Sequence, residues 1–230
     1  NELDLVLARD EIVGKLENLF NDKAVEAHLF FSLARGDADA YSDVDIWYIF
    51  KDEDYGAVYD NRFAYYARLG TILHSCEPPQ NAPNGGLHTA LLVQIGDTIT
   101  VVDVYLCRLS TAFITPESKK LFGVELPVGT AGFNTQKVQV NESYRIDFFI
   151  GFVFNTIKKI ARKKDNPLGD VLREYEALYK NYNISVEPIE AVDNGVETLE
   201  VIIENVKKTA TEKQKDTLNT ILTFARKMLV

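Results

Sequence analysis

Cysteine and histidine are scarce in this chain of 230 residues, which limits the kinds of site it can build. Its two cysteines, Cys76 and Cys107, stand in neither a metal-binding nor a redox spacing, so the sequence predicts reduced thiols and no disulfide framework. The three histidines, His28, His74 and His88, likewise form no ligand spacing. No cysteine or histidine arrangement typical of a covalent nucleophile is evident either, which favours chemistry by direct attack.

Basic residues are outnumbered by acidic ones. The chain has 25 lysines and arginines against 34 aspartates and glutamates, a formal net charge of −9. A protein that grips a nucleic-acid backbone usually has a basic surface, so we expect no nucleic-acid partner. The balance would suit a cationic small molecule, and a solvated acidic surface explains it equally well.

Long apolar runs are also missing. The stretch from Ile146 to Ile157 is interrupted by Gly151, Asn155 and Thr156, so it is too short and too polar to span a bilayer. The first residues have no apolar core of the kind found in signal peptides. The sequence therefore predicts a cytoplasmic protein with no membrane partner.

The most informative segment is the one from Ser32 to Asp45, which lies between apolar runs at 25–33 and 44–50. It is typical of a strand, a glycine-containing loop and a second strand. Because side chains alternate along a strand, Asp43 and Asp45 point the same way. Two carboxylates on one face repel each other unless a hard cation lies between them, and Mg²⁺ prefers such oxygen ligands. Ordinary surface acids at a strand start are the alternative.

The first half of the chain predicts an α/β arrangement. Helical spacing of apolar residues indicates helices at 4–22 and 55–73, and the proline- and glycine-rich stretch 77–86 predicts a loop. Two apolar runs, 87–95 and 98–106, predict a β-hairpin.

The second half has a different character. Residues 116–122 predict a short helix ended by Gly123, and 124–140 predict an irregular segment. Pro167 is expected in the first turn of the second of four further helices. These four are predicted at 142–164, 167–182, 194–208 and 211–229. We therefore expect an α+β domain at residues 1–125 with a mixed sheet, followed by an all-helical bundle domain at 126–230.

These residues resemble the signature of the DNA polymerase β-type nucleotidyltransferase superfamily. The matching positions are Ser32, then Arg35 and Gly36, then Asp43 and Asp45. The segment looks most like the lincosamide and aminoglycoside nucleotidyltransferases, which are linked to antibiotic resistance. The resemblance implies transfer of a nucleoside monophosphate from an NTP, ATP by preference, to a hydroxyl of a small molecule such as an antibiotic. It also implies a Mg²⁺ cofactor and release of pyrophosphate, and leaves a homodimer open.

Four residues of the segment are expected to bind the nucleotide. The Ser32 hydroxyl and nearby backbone N–H groups can donate to phosphate oxygens, and Arg35 can neutralise phosphate charge, unless it forms a surface salt bridge. Gly36 allows a tight backbone turn. Ser42, next to the first aspartate, completes the set.

Three aspartates are expected to hold the metal and carry the catalysis. Asp43 and Asp45 would coordinate Mg²⁺ bridging the triphosphate. Asp103, which interrupts the apolar run 98–106, is the candidate third acid, either as a metal ligand or as the base that takes the acceptor proton. An edge-strand acid or structural ion pair is the alternative for Asp103, and Asp97 competes but is more simply a turn residue.

One position departs from the superfamily pattern. Phe31 stands where the family has a glycine immediately before the serine. Its side chain would hinder the approach of the phosphates, or would point into the core with the loop shifted. A catalytically impaired nucleotide-binding module with the same fold is therefore one alternative, and a protein-nucleotidylating toxin–antitoxin component is another.

Overall fold

The computed structural model describes residues 1–123, 126, 141–190 and 195–229. The chain divides into two compact units, Asn1–Val138 and Gln139–Val230. The domain boundary expected between residues 125 and 126 stays a prediction. Most of the irregular segment expected at 124–140 lies outside the described residues.

The first unit is built on a mixed sheet. Its described helices are α1 (Glu2–Leu19), α2 (Phe31–Arg35) and α3 (Asp52–Tyr66). Its described strands are β1 (Ala24–Leu29), β2 (Val44–Phe50), β3 (Thr71–Cys76), β4 (Leu87–Ile95), β5 (Thr98–Arg108) and β6 (Lys119–Gly123). They lie in the order β3-β4-β5-β2-β1-β6. Only β2 and β5 are parallel among these neighbours, and the other pairs are antiparallel.

One face of this sheet carries the larger core. The even-numbered residues of β2 and β5, such as Ile46, Tyr48 and Val104, are buried with apolar residues of α1 and α3. Burial of this kind is the main stabilising contribution to the unit. We call this side the helix face. The odd-numbered residues of the same strands point to the other side, which we call the acid face because it carries Asp45 and Asp103.

The hairpin prediction is confirmed, since β4 and β5 pair from Ile95 and Thr98 back to Leu87 and Leu106. The helix expected at 55–73 is partly wrong, because α3 ends at Tyr66 and β3 follows. At Gly70, just before β3, a Cβ atom would lie 2.7 Å from the carbonyl oxygen of Gln94. This close approach of two backbones requires glycine and brings β3 onto the sheet.

Two other local predictions are wrong. The segment expected to be a short helix at 116–122 contains β6, which pairs with the free edge of β1. Gly123 has φ +110°, and a Cβ atom there would lie 2.3 Å from the carbonyl oxygen of Val25, so strand contact overrides helix propensity. Between β1 and β2, a single helical turn, α2, replaces the end of the strand expected at 25–33 and the start of the expected loop.

The second unit is helical, as predicted. Its described helices are α4 (Glu142–Ala161), α5 (Gly169–Asn181), α6 (Gly195–Lys207) and α7 (Glu212–Leu229). Pro167 lies in the turn before α5 rather than in its first turn, because the helix begins two residues later. Gln214 of α7 donates from Nε2 to the Asp147 carboxylate of α4 at 2.9 Å, which fixes the register of these two helices. No described helix is both long and apolar enough to cross a membrane.

Tyr48 supplies a test of the helix face. Its hydroxyl is buried and donates to the carbonyl oxygen of Leu16, in the last turn of α1, at 2.6 Å. We expect Tyr48→Phe to lower the free energy of unfolding by about 1–2 kcal/mol, because the hydrogen bond is lost. Urea unfolding, followed through the single tryptophan, Trp47, measures the change.

Tyr59→Phe is the matched control for this change, since Tyr59 is a partly exposed tyrosine on α3. It should alter the free energy of unfolding by less than about 0.5 kcal/mol. Equal effects of the two substitutions would contradict the role assigned to the Tyr48 hydroxyl.

Candidate functional site

Asp45 and Asp103 are direct neighbours on the acid face. The parallel pairing of β2 with β5 sets the two residues in register, and adjacent strands lie about 4.8 Å apart. Asp43 lies two residues before Asp45, at the entry to β2, and all three side chains are partly exposed. The sequence-predicted third acid thus lies beside one of the first two.

The donors of these residues suit a hard divalent cation, since carboxylate oxygens are what Mg²⁺ prefers and neighbouring carboxylates repel without one. Within the described ranges, however, no group of three or more His, Cys, Asp or Glu side chains is arranged to hold a metal ion. The metal site of Asp43, Asp45 and Asp103 therefore stays a prediction.

Asp103 has a partner that the sequence did not assign. His88 Nε2 lies 2.7 Å from Asp103 Oδ1, and His88 is only 3% exposed. The Asp103 side chain keeps 19% exposure, so it remains accessible from solvent. The structural partner considered for Asp103 is thus present, as a close contact with a histidine.

Aromatic rings lie one pleat further along the strands. His88, Tyr105, Trp47 and His28 are register partners across β4, β5, β2 and β1, and we call this set the ring row. The Tyr105 ring stacks on His88 at 4.6 Å and on Trp47 at 4.8 Å between centroids. Burial, and then the charges of Asp103 and Asp45, raise the pKa of Tyr105. Tyr105, which is stacked between two rings of the ring row, is therefore an uncharged neighbour of the two aspartates.

The turn that leads into Asp43 is held by hydrogen bonds around Asp39. Ser42 donates its hydroxyl to Asp39 Oδ1 at 2.9 Å and accepts from the Asp39 backbone N–H at 3.0 Å. Arg9 of α1, a buried arginine, donates to the Asp39 carbonyl oxygen at 2.5 Å. Ser42 therefore fixes the turn before the aspartates, and its expected role in nucleotide binding stays a prediction.

The other expected nucleotide-binding residues lie on or beside α2. The Ser32 carbonyl accepts from the backbone N–H groups of Gly36 and Asp37, at 2.9 and 3.1 Å, and Gly36 closes the turn with φ +80°. Arg35 is exposed and pairs with Asp37 at 3.1 Å and Glu117 at 3.3 Å. The hydrogen bond to Asp37 raises the pKa of Arg35, followed by the attraction of both carboxylates. The surface salt bridges considered for Arg35 are thus formed.

Phe31 adopts a backbone conformation that glycine prefers. Its φ is +54°, in the left-handed region, and its side chain is 49% exposed. The side chain therefore does not point into the core. A bulky residue held at positive φ carries steric strain, which here is not offset by burial of the ring.

No family model matches the sequence, and no curated protein matches it. The structure is similar to a STING-associated CdnE c-di-GMP synthase from Capnocytophaga granulosa, at 14% identity and a TM-score of 0.32, over 98% of this chain and 81% of the other. It is also similar to a CdnE cyclic dinucleotide synthase from Elizabethkingia meningoseptica solved with GTP and Apcpp, at 15% identity and a TM-score of 0.26, over 99% and 97% of the two chains.

The strain at Phe31 leads to a prediction with a distinctive sign. At ordinary positions glycine is less stable than alanine, but a left-handed conformation reverses that order. We expect Phe31→Gly to be about 1 kcal/mol more stable than Phe31→Ala, measured by urea unfolding. If the alanine variant is the more stable one, the left-handed conformation at Phe31 is contradicted.

Proposed function

We propose that this protein is a Mg²⁺-dependent nucleotidyltransferase, with its reaction centre at the acid face of the first unit. It would transfer a nucleoside monophosphate from an NTP, ATP by preference, to a hydroxyl of a small molecule and release pyrophosphate. The observation that carries the proposal is the register pairing of Asp45 with Asp103, with Asp43 two residues before Asp45. That arrangement concentrates carboxylates on one partly exposed face of the two central strands, β2 and β5.

Asp43 and Asp45 would hold the cation, and Asp103 would complete the set from β5. When bound there, Mg²⁺ neutralises the triphosphate and stabilises charge on the departing pyrophosphate.

Ser32, Arg35, Gly36 and Ser42 would receive the phosphates. Arg35 is exposed and already engaged by two carboxylates, so a triphosphate has to displace Asp37 and Glu117 from the guanidinium. Exposed ion pairs of this kind contribute little stability, and the exchange therefore costs little.

The reaction needs no covalent intermediate on the protein. The acceptor oxygen attacks the α-phosphorus as its proton passes to a base, and the bond from the α-phosphorus to the bridging oxygen of the pyrophosphate breaks. Asp103 is the residue we assign to the acceptor side, because its carboxylate is accessible and lies on the strand next to Asp45. The acidic net charge of −9 favours a cationic acceptor, and an aminoglycoside or lincosamide antibiotic is our candidate.

Pyrophosphate release tests this proposal directly. The full chain would be assayed with Mg²⁺ and each NTP against a panel of aminoglycosides and lincosamides. We expect release with at least one acceptor, and an Asp43→Asn/Asp45→Asn double variant should lose about a hundredfold or more of the rate.

Asp97→Asn is the matched control, because it makes the same change at the turn between β4 and β5, away from Asp45 and Asp103. It should keep the full rate. Undiminished turnover in the double variant would rule out the proposed metal site.

A second function is favoured by one observation, the half-exposed ring of Phe31 beside Ser32. A catalytically impaired module would bind Mg-NTP without turning it over. Binding in calorimetry, combined with no pyrophosphate release across the acceptor panel, is the result that favours this second function.

A further inference from the structure

The contact between His88 and Asp103 joins a buried residue to an accessible one. His88 is 3% exposed, and its Nε2 lies 2.7 Å from Asp103 Oδ1. The hairpin register sets Ala90 opposite Asp103 and His88 opposite Tyr105, so the histidine reaches the carboxylate diagonally. The position of the ring is therefore fixed by the backbone, and the stack on Tyr105 limits its rotation.

The surroundings of the ring select one tautomer. His88 Nδ1 is buried and has no hydrogen-bond partner among the residues that the structure describes. A proton on Nδ1 would be a buried donor without an acceptor, which costs about 1–3 kcal/mol. A proton on Nε2 is instead donated to Asp103 Oδ1. The neutral tautomer with Nε2–H is the one that satisfies the donor.

We propose that His88 is a positioning residue for Asp103: it donates from Nε2 to Oδ1, fixes the rotamer of the carboxylate, and leaves Oδ2 for the reaction centre. The inference rests on the proposed function for what Oδ2 does. A carboxylate held at one oxygen is preorganised, whereas an untethered aspartate at the strand surface would sample several rotamers.

A second histidine–carboxylate pair on the same face gives the contrast. His28 Nε2 lies 2.5 Å from Glu26 Oε1 on β1, and the Glu26 side chain is 0% exposed. A carboxylate without solvent access cannot meet a substrate, so that pair serves packing. The pair at Asp103 combines the same contact with an accessible oxygen, which is what a positioning role requires.

Two substitutions separate the hydrogen bond from the stack. His88→Phe keeps a ring against Tyr105 but removes the donor, and His88→Gln keeps an N–H donor but removes the ring. We expect His88→Phe to weaken Mg²⁺ binding, measured by calorimetry, by about tenfold or more and to lower kcat by a similar factor, with a much smaller change in the KM for ATP. His88→Gln should regain most of both losses.

His28→Phe is the matched control at the buried pair, because it makes the same change there. It should lower the melting temperature without changing Mg²⁺ affinity or kcat per folded molecule. If His88→Phe behaves in the same way, or if His88→Gln gives no recovery relative to His88→Phe, the positioning role is overturned and His88 is a packing residue.

Nitrogen-15 NMR of the three histidines tests the tautomer without any turnover. We expect His88 to carry its proton on Nε2, and a proton on Nδ1 alone would overturn the proposal. This measurement also separates the two proposals: absence of pyrophosphate release from the wild-type chain counts against the nucleotidyltransferase, while the tautomer and the Mg²⁺ affinities decide the role of His88.

Discussion

The parallel pairing of β2 with β5 is the constraint on which the acid face depends. These two strands are not consecutive in the chain, and their register alone sets Asp45 beside Asp103. Shifting either strand by one residue would turn its aspartate onto the helix face, where an unpaired carboxylate is very costly, and would remove the apolar residues of that strand from the core. The large core on the helix face therefore fixes the register, and the register fixes the site.

The helix face of the sheet contributes most of the stability, whereas the acid face carries the candidate site. The helix face is apolar and closed by α1 and α3. The acid face is mixed: Trp47 and Ile49 are buried in a small apolar cluster, while Asp45 and Asp103 remain partly exposed one pleat away. Because side chains alternate along β2 and β5, the carboxylates lie on strands whose opposite side chains are packed in the core of the helix face.

Local patterns predicted the elements that are defined by their own residues. The four helices of the second unit and the hairpin of β4 and β5 have strong hydrophobic periodicity. Contacts with other segments therefore have little influence on their secondary structure. The strands β3 and β6 were missed because both are short edge strands, and what makes them strands is contact with β4 and β1. The close backbone approach at Gly70 and Gly123 depends on tertiary contacts, which the hydrophobic periodicity of the sequence does not predict.

For the candidate site, too, local sequence patterns predicted individual residues but not the contacts between strands. Asp43 and Asp45 were predicted from their alternation at the start of a strand, and Asp103 from its position in an apolar run. Their role as a metal site stays a prediction, and the pairing of Asp45 with Asp103 needs the strand order. His88 was within reach, since the two-residue turn at Gly96 and Asp97 fixes the hairpin register. Counting back from that turn sets His88 opposite Tyr105, two residues from Asp103.

The backbone at Phe31 shows how the departure from the superfamily pattern affects the structure. The resemblance expects glycine there, and the backbone at Phe31 adopts the left-handed conformation that glycine prefers, despite the cost to a bulky side chain. The substitution therefore leaves the path of the chain into Ser32 intact. Any loss of activity must come from the ring itself, which is half exposed and contacts Phe30 at 6.3 Å between centroids. A ring at the surface can move with a change of rotamer, whereas a misplaced backbone cannot be corrected so cheaply.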